Sequence, residues 1–246
     1  MTRSHSVAAA FSAAAATYDQ AAGAQAQAAM RLAALVAALP RPAAPRVLEI
    51  GCGTGLLTAA LLPKLGGHWL VTDLSAAMVE AARRSFGARA EYRVMDGEHP
   101  DLEPGGFDLV VSNLAVQWFE DLGAGLARLR ACLRPGGALA VSTLGAGSFA
   151  EWRAAHAALG LPCGTPAYPT PDAIAALLPG ARVVRQPIAV EYADGKDFLD
   201  ALRRVGASVP APGHRPLSPG GLRKAMKALG SPARVTYDVV HLVAGA

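Results

Sequence analysis

Apolar runs rich in Val, Leu and Ile recur at residues 46 to 50, 69 to 72, 107 to 111 and 138 to 142, and the segments between them carry helical periodicity. Unbroken apolar runs suit strands buried on both faces, so the alternation predicts βαβ units and a parallel sheet covered by helices. Helices are expected at 24–39, 55–65, 75–86 and 120–133, with Ser75 as N-cap of the third. Beyond residue 148 the pattern loosens: a helix near 148–160, a Pro-rich connection, a short helix near 171–178 and a β-like run RVVRQPIAVEY. Two helices near 196–205 and 218–229 then precede a last strand, ARVTYDVVHLV. Both late strands fit the same sheet, which predicts one domain over 1–246 with an inserted helical cap.

Composition narrows the class. A chain of 246 residues with 52% hydrophobic and 17% charged positions buries a full core and is not disordered. The Ala-rich start runs on through Asp19, Gln20, Gln25 and Gln27 into the next helical pattern, unlike a secretory leader, and Arg31, Pro40 and Arg46 interrupt the longest apolar stretch. A soluble protein is expected. Cys52, Cys132 and Cys163 lack CxxC spacing and the six histidines are scattered, which supports neither a disulfide framework nor a local metal motif and fits a reducing cytoplasm. Charge is uneven: residues 196 to 246 carry eight Lys/Arg against three Asp, a net +5, while the preceding 195 residues net −1.

The sharpest local signal is VLEIGCGTGLLT, residues 47 to 58. An apolar strand delivers Glu49, and Gly51, Gly53 and Gly55 let the backbone approach a ligand at a helix start. A dinucleotide fingerprint needs Gly at position 56, where Leu56 stands. The loop resembles motif I of class I methyltransferases that use S-adenosyl-L-methionine. Asp73, at the end of the next strand, is placed to accept two ribose hydroxyls. Asp96 and Gly97 follow the third strand, where the resemblance implies contact with the adenine, and LRPGG at 133–137 matches the turn before the fifth strand. The resemblance implies a Rossmann-like α/β fold with a mostly parallel seven-stranded sheet, and adds Leu74, Met78 and Asn113 to the cofactor set.

FSAAAATYDQAAGAQ at the start, SNLAVQW at 112–118, STLGAGSFAEW after the fifth strand and FLDALRRVGAS before a basic helix together resemble the malonyl-[acyl-carrier protein] O-methyltransferases of biotin synthesis across nearly the whole chain. The resemblance implies an N-terminal helical lid over 1–40, a cofactor-binding core over 41–147 and an acceptor part over 148–246. It implies catalytic roles for Tyr18, Gln117 and Trp118. Phe11 and Tyr18, seven apart, equally suit one packed helix face. Gln25, Thr143 and Arg153 are acceptor-site candidates. Arg203, Arg204, Arg223, Lys224 and Lys227 form a candidate docking surface for an acidic carrier protein, or a solvated face.

An ionised carboxylate needs no general base to accept a methyl group, so the lack of an evident His/Asp pair is consistent with this chemistry. Trans-aconitate-type carboxyl methyltransferases, methyltransferase-like arginine hydroxylases of complex I assembly and a binding protein without turnover remain alternatives. Nucleic acid, membrane and metal are not expected, nor are hydrolase or NTPase chemistry, because no recognition motif, G-x-S-x-G or Walker loop is present. A monomer is the favoured state.

Overall fold

A computed structural model describes residues 3 to 245. Three helices, α1 (Arg3–Ala14), α2 (Tyr18–Ala21) and α3 (Gly23–Ala37), precede the first strand. Then follow β1 (Arg46–Ile50), α4 (Leu56–Leu65), β2 (His68–Asp73), α5 (Ala76–Phe86), β3 (Glu91–Val94), β4 (Phe107–Asn113), α6 (Leu122–Ala131) and β5 (Leu133–Leu144). The C-terminal part adds α7 (Ala150–Ala158), α8 (Pro171–Leu177), β6 (Arg182–Tyr192), α9 (Gly195–Arg204), α10 (Pro219–Leu229) and β7 (Ala233–Gly245).

The strands form one sheet in the order β3-β2-β1-β4-β5-β7-β6. Pairing is parallel from β3 to β5, and β7 is antiparallel to both β5 and β6. Alternate side chains of one strand serve opposite layers. Val47 packs with Leu32, Val36 and Leu61 on one face, while Leu48 packs with Leu126, Leu129 and Ile174 on the other. A third cluster joins α7, α9 and α10 to β6 and β7 around the fully buried Phe198.

From β1 the chain winds to β2 and β3 on one side and to β4 and β5 on the other, so the ends of β1 and β4 lie at the change in strand order, where parallel sheets open a ligand crevice. Ser75 caps α5 as expected, its Oγ accepting the Met78 N–H. LRPGG is not a turn ahead of the strand: it lies inside β5, which begins at Leu133. Register with β4 shifts between Phe107 and Leu109, so an irregularity absorbs the sequence while pairing continues. The helix expected from 148 starts at Ala150, because Phe149 adopts a left-handed φ of 57° and its N–H goes to the Thr236 carbonyl.

Candidate functional site

The glycine loop leaves β1 with Gly51 at φ +65°, where a Cβ would come 2.2 Å from the Ala115 Cβ. No L side chain fits that approach. Gly53 donates its N–H to Asp73 Oδ2 at 2.9 Å, and Ser75 donates to Asp73 Oδ1 at 2.8 Å. One carboxylate thus holds the glycine loop and the start of α5 together. Burial pushes the Asp73 carboxyl up despite these backbone donors, since desolvation penalises the charge more than they compensate. A ligand bringing further hydroxyl donors would relieve that penalty.

Gly51, Gly53, Asp73, Leu74, Asp96, Gly97 and Asn113 line one cavity of about 90 Å³, along with Ile50, Met95, Trp118 and Phe119. At Gly97 a Cβ would come 2.2 Å from Ile50 Cγ2, so the wall stays flat only with glycine there. A flat apolar slot between Ile50, Met95 and Phe119, with Asp73 and Asp96 at its rims, fits a nucleoside. The residues present therefore fit the expected cofactor.

Three of the expected cofactor residues do not reach this cavity. Glu49 is buried beneath the loop, accepts the Thr58 hydroxyl at 2.7 Å, and is pushed up to about 7 by desolvation. Gly55 precedes α4 at φ +99° against the Phe86 ring, and Met78 is core. They shape the loop from below. Sequence reading missed Glu98, which is 5% exposed and accepts the N–H groups of Glu120 and Asp121 at 2.7 and 2.8 Å. It ties the segment after β3 to the one after β4, and Asp96 in turn accepts its N–H.

Helix α1 roofs the cavity with Ser4, Val7, Ala8 and Phe11. The Phe11 ring meets Trp118 edge-on at 5.7 Å and Tyr18 at 6.5 Å, so the seven-residue spacing does serve packing. Tyr18 also lines the cavity, with its ring 3.8 Å from the place a Gly53 Cβ would take. Burial and then the nearby Asp73 and Asp19 carboxylates raise the phenol well above its ordinary value, so it stays a proton donor. The N-terminal segment is fastened by Ser12 to Ser75 at 2.8 Å and by Thr17 to the Arg204 carbonyl at 3.0 Å.

The amides of SNLAVQW are engaged with the protein. Asn113 Nδ2 donates to the Gln25 carbonyl, and Asn113 Oδ1 accepts from Ser142 Oγ, which in turn accepts the Leu114 N–H. That network holds Leu114 at φ +50°, a strained conformation for a branched residue. Gln25 therefore acts through its backbone. Gln117 Nε2 donates to the Leu114 carbonyl, and its buried Oε1 has no partner among the described residues. Gln117 lies away from the cofactor cavity, in a recess it shares with Thr143 and Tyr168, where Thr143 Oγ1 is likewise buried and unpartnered.

Trp118 belongs to two cavities. Its other side faces a second one of about 370 Å³, between α7, α9 and α10 and the segments 163–168 and 207–217. Arg203 lines this cavity and pairs with Asp200 at 2.7 Å; Arg204 pairs with Asp197 at 3.0 Å. Arg153 donates to the carbonyls of Ser148 and Ala146, closing the turn ahead of α7. Arg223, Lys224 and Lys227 are exposed on α10, and none of the ion pairs among the described residues involves them. Among the described residues no cluster of His, Cys, Asp and Glu suits a metal, and no helix is long and apolar enough to cross a membrane.

Residues 47–137 match a family described as a methyltransferase domain. The biotin biosynthesis bifunctional protein BioCD of Bordetella avium is 48% identical over 96% of this chain, which spans 51% of that protein's length. A malonyl-[acyl-carrier protein] O-methyltransferase of Magnetococcus marinus is 41% identical, covering 82% of this chain and 78% of the relative. The fold is shared with the YcgJ protein of Bacillus subtilis, with a TM-score of 0.64 at 14% identity, covering 88% of this chain and 97% of that one.

Proposed function

The chain belongs to the malonyl-[acyl-carrier protein] O-methyltransferase family, and we propose that it methylates the free carboxylate of a malonyl group carried on an acidic acyl carrier protein. The observation that carries this reading is Trp118, which walls the nucleoside-shaped cavity on one side and a second cavity, lined in part by Leu222 of α10, on the other. An acceptor can thus approach the cofactor from the side on which α10 exposes its cations.

Bound in the first cavity, S-adenosyl-L-methionine supplies an electrophilic methyl group to the ionised carboxylate. Asp73 would accept the ribose hydroxyls, Asp96 and the Gly97 wall would hold the base, and the Gly51–Gly53 backbone would leave room for the amino-acid end. Tyr18 donates its phenolic hydrogen to the acceptor carboxylate and orients it. Phe11, Val7 and Trp118 exclude water, which removes competing solvation of both charges as they neutralise. Since the carboxylate is already ionised at neutral pH, no residue takes a proton.

Among the described residues no Lys or Arg lines the first cavity, and Arg3 lies beside it, its guanidinium 5.9 Å from the Trp118 ring centre. Residues 1–40 act as the lid, 41–147 as the cofactor core and 148–246 as the acceptor part. The three free cysteines accord with a reducing cytoplasm, and the enzyme works as a monomer. The test is intact-protein mass spectrometry of malonyl carrier protein incubated with enzyme and S-adenosyl-L-methionine. A gain of one methyl on the malonyl form, absent from the unacylated carrier, is expected; no gain with a competent carrier and demonstrable cofactor binding overturns the reading.

A further inference from the structure

The cavity behind Trp118 has a polar group that none of the roles above uses. His156, on α7, is 3% exposed and lines this cavity. Its Nδ1 lies 2.9 Å from the Trp152 carbonyl, which can only accept, so Nδ1 carries the proton. Its ring stands edge-on to Trp152 at 4.3 Å, which fixes its plane. With the ring neutral in that tautomer, Nε2 is a hydrogen-bond acceptor, and among the described residues the ring's one hydrogen bond is the one at Nδ1.

The rest of the wall is mainly uncharged: Phe149, Trp152, Leu199 and Leu222 supply apolar area, while Thr165 and Ser208 supply hydroxyls. Arg203, His214 and Tyr168 are the other ionisable groups there; Arg203 is already paired with Asp200, and burial holds the Tyr168 phenol protonated. An apolar slot with an acceptor on a largely buried ring and scattered hydroxyls suits a slender, neutral chain bearing amide N–H groups. It does not suit the malonyl carboxylate itself, which an unpartnered acceptor would repel.

We propose that this cavity seats the amide-bearing thioester arm that joins the acyl group to its carrier, and that His156 Nε2 accepts a hydrogen bond from one of the arm's amides. The assignment rests on the carrier-linked reading above and extends it. The arm enters beside α9 and α10 and passes Trp118, so the acyl end emerges at the Tyr18 side of the cofactor cavity. His156 is a positioning residue: it holds the arm and touches neither the carboxylate nor the methyl group.

The first readout needs no turnover. Trp118 and Trp152 both line the cavity, so titration with pantetheine, an arm with no carboxylate to methylate, reports through intrinsic fluorescence. A saturable change is expected. It should weaken at least fivefold in His156→Phe, which keeps an aromatic ring but no acceptor, and recover in part in His156→Gln. Ala207→Leu, at the less buried rim, should weaken binding by filling space, and cofactor affinity checks that each variant folds.

The second readout compares methylation of malonyl-pantetheine with malonyl methyl thioester, which lacks the arm. His156→Phe should raise KM for the first several-fold and leave the second nearly untouched. No saturable pantetheine signal, or equal binding by wild type and His156→Phe, overturns the proposal even when malonyl thioesters are methylated. Pantetheine binding that depends on His156, with no malonyl thioester methylated, supports the cavity assignment and rejects the malonyl acceptor instead.

Discussion

Thr54 Oγ1 donates a 2.6 Å hydrogen bond to Asp19 Oδ1. Thr54 sits within the glycine loop and Asp19 is the neighbour of Tyr18, so one bond couples the loop that receives the cofactor to the segment that covers it. Asp19→Ala should speed cofactor dissociation by about two- to tenfold, as expected for loss of one net hydrogen bond. Stopped-flow dissociation measures it; an unchanged rate would mean that the helices dock without this latch.

Asp73 holds two N–H groups and faces the slot. Asp73→Ala removes both loop contacts and the acceptor for the ribose, so cofactor affinity should fall about 10- to 100-fold. Asp73→Asn, which keeps one acceptor oxygen, should lose less. Isothermal calorimetry distinguishes the two, and equal losses would argue that the charge alone matters.

Tyr18→Phe keeps the ring against Phe11 and removes only the hydroxyl. A roughly tenfold drop in kcat with cofactor affinity within about twofold is expected of a donor that orients the acceptor. Because its phenol is held above the ordinary range, no alkaline limb from Tyr18 should appear in the pH profile below about pH 10. Full activity in the Phe variant would reduce Tyr18 to packing.

Glu49 makes stability depend on pH. Its carboxyl titrates near 4.5 when unfolded and is pushed up to about 7 in the folded protein. The folded state therefore holds the proton more tightly between those values. Its contribution is fully present below about 4.5 and is lost as pH rises through about 7. The loss is on the order of 3 kcal/mol. Glu49→Gln should then gain thermal stability over wild type at pH 8 by several degrees, with little gain at pH 4.5. A constant difference across a melting series from pH 4.5 to 8 would contradict this.

Charge reversal to Glu at Arg223, Lys224 and Lys227 should raise KM for malonyl carrier protein by about tenfold at low salt, and by much more than KM for malonyl-pantetheine. The effect should shrink toward about 0.15 M salt as the screening length falls to about 8 Å. Steady-state kinetics across a salt series tests the face, and equal changes for both acceptors would locate the defect elsewhere.

Much of the cofactor half is legible in sequence because each part is local. A strand, a glycine turn and an acid at the next strand end bring Gly51, Gly53 and Asp73 to one cavity with no distant help, and Asp96 and Gly97 repeat the pattern one strand on. The acceptor half is not local. Arg153 looks like a free cation until the turn at 146–148 presents two carbonyls to it, and Asn113 looks like a ligand donor until Gln25, far away in the chain, supplies a carbonyl. Glu98 and His156 carry no sequence signal, because their partners lie on other elements or within their own helix backbone. Gln117 and Thr143 line one recess, but it lies beside the cofactor cavity.

The roof formed by α1 also governs time. Phe11, Val7 and Ser4 leave about 90 Å³ beneath them, well short of the roughly 300 Å³ at which small-molecule sites begin. If residues 1–40 are the lid proposed above, α1 has to swing outward to admit a nucleoside fully, and each catalytic cycle is expected to include that movement. Release of the spent cofactor is then expected to follow how often Ser12 leaves Ser75 and Asp19 leaves Thr54.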